Sequence, residues 1–124
     1  MILAVILALL AAIHVYWACG GRWWAARVTP STAKGESLFQ PRPIATLAVA
    51  ALLLFACTIS AGLALQAHRR PLMLAMAAVF AIRAIGEFRY CGFFKKITNS
   101  EFAYWDTRIY SPLCLAMSAL ALFY

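Results

Sequence analysis

The stretch Pro43–Ala67, PIATLAVAALLLFACTISAGLALQA, carries no charged side chain. A membrane-spanning helix needs about 20 apolar residues at 1.5 Å of rise each. This run is long enough outright, and it decides the solvent in which the rest of the chain is read. Of 124 residues, 65% are hydrophobic and 12% charged, against about 25% charged in a typical soluble domain. A soluble chain this short keeps much of its surface wet, and here that surface would be largely apolar. A bilayer is the expected solvent. Disorder is excluded by the richness in apolar and aromatic residues, and two soluble domains are excluded by length.

Outward from that run, Met1–Gly21 and Ile109–Tyr124 are also free of charge, and an apolar run from Pro71 meets its first charge at Arg83. Four helices are expected, at about 2–19, 43–67, 71–90 and 107–124, with loops at 20–42 and 91–106. The third reaches spanning length only with Arg83 and Glu87 inside it. Gly20-Gly21 can end the first helix through a left-handed cap. Pro43 and Pro71 suit first turns, Asp106 suits an N-cap, and Pro112 is placed to bend the last helix. Small residues recur every four positions at Ala56, Ser60 and Ala64 and at Ala77 and Ala81, a spacing that lets helices approach closely in lipid. The fold class expected is all-α: one transmembrane domain over 1–124, an integral membrane four-helix bundle with both termini on the outer side. The first segment lacks a positive n-region and is read as an uncleaved span.

Net charge is +7. No basic helix or recognition module points to nucleic acid, so the charge is read as topology. Arg22, Arg27, Lys34 and Arg42 fall in the first loop. Lys95 and Lys96 fall in the third, with Arg89 and Arg108 at its edges, and the short second loop has only Arg69 and Arg70. Positive residues favour the cytoplasmic side. Loops 20–42 and 91–106 are therefore expected in the cytoplasm, and the protein in a bacterial inner membrane. Cys57 and Cys114 fall within spans and act as small apolar groups. Cys19 and Cys91 lie toward the reducing side, and no Cys-x-x-Cys suggests redox chemistry. No metal-ligand spacing is present, and no cofactor is expected.

The informative residues are those a bilayer disfavours. Arg83 and Glu87 are four apart and would share a helix face, with Tyr90 near it. His14 and Arg83 lie at similar distances from the cytoplasmic ends of their helices, about 9 and 10 Å. Tyr110, one turn past Asp106, enters from the same side. The candidate ligand-binding residues are thus His14, Trp17, Arg83, Glu87, Tyr90, Asp106 and Tyr110. The plainer readings are a structural ion pair for Arg83 and Glu87, a hydrogen-bonded core histidine for His14, and interfacial anchors for Trp23 and Trp24. The segment Gly92–Trp105, GFFKKITNSEFAYW, is expected on the membrane surface.

Three blocks, HVYWACGG from His14, GEFRYCGFFK from Gly86 and DTRIYSPLC from Asp106, resemble a family of small bacterial four-helix membrane proteins catalogued as a domain of unknown function. The resemblance covers essentially the whole chain and implies the same four helices. It brings no reaction, substrate or cofactor. From the residues, the leading reading is binding of an amphipathic ligand or lipid in a polar pocket near the cytoplasmic face, with Arg83 attracting an anionic head. The alternatives are a membrane-embedded enzyme using His14 and Glu87 as an acid–base pair, an accessory subunit of a larger membrane complex and, below these, a transporter. The enzyme reading is similar, at fold level only, to four-helix sterol-isomerase-type proteins. Membrane lipids are the expected partners, with a homo-oligomer as a further possibility.

Overall fold

The computed structural model describes residues 1–21, 23, 42–86, 92, 95 and 101–123. Among them the chain is all-α, with four helices and no strand. α1 spans Ile2–Ala18, α2 spans Pro43–Ser60 and α3 spans Arg69–Ile85. The fourth helix runs as α4 (Glu101–Trp105), a π-helical turn (Asp106–Tyr110) and α5 (Ser111–Leu122). Trp105 and Ser111, which flank the turn, keep right-handed helical angles, so the rod is continuous.

The helix ends differ from the expected ones for local reasons. α2 stops at Ser60 rather than 67. Gly62, at φ 76°, directs its N–H to the Ile59 carbonyl, and the Leu63 N–H returns to that of Thr58. These are the two bonds of a Schellman end. α3 stops at Ile85 rather than near 90. Gly86 takes φ 82° and ψ −172°, a region essentially closed to other residues, and the right-handed path ends there. The fourth helix begins at Glu101, so Asp106 is an interior residue and not the N-cap that its sequence position suggests.

The helices pack as two antiparallel pairs, α1 with α2 and α3 with α5, and contact between the pairs is sparser. Each pair carries an interhelical hydrogen bond to a backbone carbonyl. The Cys57 thiol donates to Ala4 O at 3.3 Å, and the Ser118 hydroxyl donates to Ala77 O at 2.7 Å. The pairs meet in one apolar cluster of Leu3, Leu7, Ile59, Met73, Ala77, Met117 and Ala121. It gathers the start of α1, the end of α2, the start of α3 and the end of α5. The short α2–α3 connection reinforces this end. Arg69 donates to Ile59 O at 3.1 Å and Ser60 O at 2.9 Å, and Arg70 donates to Leu122 O at 2.8 Å. Both arginines thus satisfy terminal carbonyls at the negative end of a helix.

Outside this cluster the helices present large apolar side chains to their surroundings. Ile2, Leu9, Ile44, Leu52, Val79, Ile82 and Leu115 are all exposed. α2 is long and apolar enough to cross a membrane, and only 17% of it is buried inside the fold. A soluble core helix would be mostly buried.

Leu7 is fully buried, whereas Leu9 is 66% exposed. Leu7→Ala is therefore expected to destabilise by about 2–5 kcal/mol. Leu9→Ala should fall within about 0.5 kcal/mol of the parent. Thermal unfolding of the purified protein in mild detergent checks the contrast.

Candidate functional site

The polar site lies at the opposite end of α3 from the apolar cluster. It is built by the π turn. A π turn closes i→i+5 hydrogen bonds, and the Ser111 N–H donates to the Asp106 carbonyl five residues back. Pro112 has no N–H to continue the α-helical ladder, which accounts for a wider turn just before it. The same spacing puts the Ser111 hydroxyl 3.2 Å from Asp106 Oδ1.

Asp106 is completely buried. Three groups donate to its carboxylate and a fourth, the Lys95 ammonium, forms an ion pair with it. Arg83 Nη2 reaches Oδ1 at 2.8 Å, beside the Ser111 hydroxyl. Oδ2 takes the Gly92 N–H at 2.7 Å and faces the Lys95 ammonium at 3.2 Å. Lys95 also donates to Gly92 O at 2.9 Å and to the Thr107 hydroxyl. The ammonium thus makes two hydrogen bonds and one ion pair. The Lys95 side chain is 2% exposed and that of Arg83 is 34% exposed. A buried carboxylate is tolerated only when paired and hydrogen-bonded, and Asp106 meets that condition fully.

Gly92 fits this arrangement sterically as well. It adopts φ 85°, and a Cβ there would fall on the Ile85 carbonyl and the Gly86 Cα. The backbone of Gly92 therefore lies directly on the terminal turn of α3, close enough to aim its N–H at Asp106.

Arg83 and Asp106 are the sequence candidates that the fold joins. α3, which carries Arg83, ends at Ile85. Glu87 and Tyr90 lie outside the described residues, as does Trp24. Tyr110 sits on the same π turn and packs its ring 5.9 Å from that of buried Phe102. Nearby, the Arg108 guanidinium covers the Tyr104 ring at 4.5 Å.

His14 and Trp17 form a separate group at the end of α1. His14 Nδ1 is 2.7 Å from Leu10 O in its own helix, so that nitrogen carries the proton. Its ring meets Trp17 edge-on at 5.1 Å. The Trp17 indole donates to Trp23 O at 2.8 Å, and the Trp23 N–H donates to the Tyr16 hydroxyl at 3.3 Å. His14 has no hydrogen bond, ion pair or ring contact with Arg83, Asp106 or Tyr110. Sequence reading missed Gly92, Lys95, Thr107 and Ser111. Lys95 was counted only as a loop charge, and nothing in its local sequence marks it as buried.

Two substitutions test the site. Asp106→Ala strands the Lys95 ammonium in the interior and is expected to cost about 3–5 kcal/mol. Gly92→Ala is expected to lower the melting temperature further than Ala103→Gly does, because the added methyl must displace backbone. Melting temperatures in detergent at or above the parent value would show that the carboxylate does not organise this end.

No curated protein and no solved structure matches the chain. One family model does, over residues 7–121. That span contains most of α1, all of α2 and α3, and the Arg83–Asp106 pair. The chain belongs to the family described as Protein of unknown function (DUF3995).

Proposed function

We propose that this protein is an integral membrane four-helix bundle that holds the anionic head of an amphipathic ligand or lipid at the Arg83 end. The membrane part of this reading is supported by the exposed apolar side chains on every helix and by helix length. At 1.5 Å per residue, α1, α2 and α3 are about 26 Å long and the fourth rod about 33 Å, against a hydrocarbon core of about 30 Å. Leu3, Ile59, Met73 and Ala121 share one cluster, so both termini and the α2–α3 connection belong to one face. The charge bias assigns that face to the outside and loops 20–42 and 91–106 to the cytoplasm.

The observation that carries the binding reading is that Arg83, paired with buried Asp106, keeps one-third of its side chain exposed. The Lys95 side chain is almost wholly buried, whereas the partly exposed Arg83 side chain carries a planar guanidinium. A guanidinium at the level where lipid heads begin is suited to a phosphate or carboxylate. The acid–base reading pairs His14, which hydrogen-bonds within its own helix, with Glu87, which lies outside the described residues. The accessory-subunit reading has no observation specific to it.

Topology is checked with single cysteines in a background lacking the native ones. A membrane-impermeant maleimide added to intact cells is expected to label Ala67→Cys and not Lys34→Cys, and the reverse pattern would invert the orientation. Head binding is checked in nanodiscs of equal phosphatidylglycerol and phosphatidylcholine, followed by native mass spectrometry. The parent is expected to retain phosphatidylglycerol preferentially. Arg83→Gln is expected to reduce that preference about tenfold, the loss of one charge-assisted hydrogen bond. An unchanged preference in a folded Arg83→Gln protein would remove the proposal.

A further inference from the structure

An open apolar groove of about 350 Å³ runs between α2 and α3. It is lined by Val49, Leu52 and Ala56 among the side chains of α2, and by Met76, Val79 and Phe80 of α3. It lies where the two helix pairs pack less closely against each other.

The direction of the groove is set by helix periodicity. Met76, Phe80 and Arg83 follow at i, i+4 and i+7, and so occupy one face of α3. Arg83 continues that face of α3 one turn beyond Phe80, past the residues that line the groove. The level agrees from both sides. Ile59 and Met73 meet in the apolar cluster. Ten residues back along α2 from Ile59 is Val49, and ten residues on along α3 from Met73 is Arg83. Both therefore stand about 15 Å from the cluster. The groove begins near the cluster end and opens at the depth of the guanidinium.

We infer that this groove holds one acyl chain of an anionic glycerolipid whose head is held by Arg83. The inference rests on the head-binding reading above and adds the tail and its path. The occupant follows from complementarity. The walls bear no polar side chain, so a head group or polar segment would lose its hydrogen bonds there. At the open end stands a cation, so the charged part of the occupant is an anion. Bulk lipid is as apolar as these walls, so the groove adds little driving force by itself. It contributes shape: it holds a chain parallel to the helices and sets its head beside the guanidinium. The cation contributes the preference for negative charge.

Val79 is 62% exposed and Val5, on α1 away from the groove, is 55% exposed. A tryptophan at either position adds bulk outside the core. Val79→Trp and Val5→Trp are placed in the same phosphatidylglycerol–phosphatidylcholine nanodiscs, with melting temperature as the check on folding. Val79→Trp is expected to lower phosphatidylglycerol retention about fivefold, and Val5→Trp to leave it at the parent value. Equal retention in Val79→Trp and Val5→Trp, with both folded, overturns the groove assignment. The Arg83→Gln result separates the two failures. If Arg83→Gln alone lowers retention, the head is held and the tail lies elsewhere. If neither Arg83→Gln nor Val79→Trp lowers it, both readings fall.

Discussion

The organisation of this protein turns on one carboxylate that has no contact with water. Asp106 is wholly buried in a molecule whose outer surface is largely apolar. Water does not reach it, so the protein must supply the donors. It draws them from α3, from positions 92 and 95, and from the turn that carries the aspartate itself. The network joins segments far apart in sequence. A buried ion pair is not in itself a strong source of stability, since desolvation offsets most of the attraction. Its consequence is selection: packings that leave Asp106 or Lys95 without the other are excluded.

That constraint accounts for two backbone irregularities. The π turn places Asp106 and Ser111 five apart on one side of the rod, where an α-helix would rotate them away from each other. The glycine conformation at Gly86 ends α3 just past Arg83 and leaves room for Gly92 to lie against the terminal turn. Both irregularities occur at the polar end. The apolar end is regular, with two Schellman-like or arginine-capped helix ends around a cluster of aliphatic and methionine side chains. The protein thus has one end determined by packing and one determined by charge.

The division also frames the functional reading. The apolar end uses Arg69 and Arg70 internally, on helix carbonyls. At the polar end the Lys95 side chain is almost wholly buried, while that of Arg83, paired with the same carboxylate, is one-third exposed. The sparse contact between helix pairs leaves an apolar groove leading toward that same residue. An amphiphile is the class of molecule with matching chemistry at both positions.

Much of the architecture was legible in the residues alone. Charge-free runs and their glycine and proline punctuation mark four helices, because the breakers bound segments of uniform apolar character. Arg83 and Asp106 were legible as candidates too, since charged groups within or beside apolar runs stand out. Their partnership was not. Spacing in sequence draws attention to Arg83 with Glu87, because four residues make one helical turn, and it carries no signal for a partner 23 residues away. The burial of Lys95 and the approach of Gly92 depend on contacts of those two positions with residues distant in sequence. Local sequence determined which segments are helical and apolar; tertiary structure decided which cation meets the carboxylate, because that pairing is set by the crossing of helices and not by residue spacing.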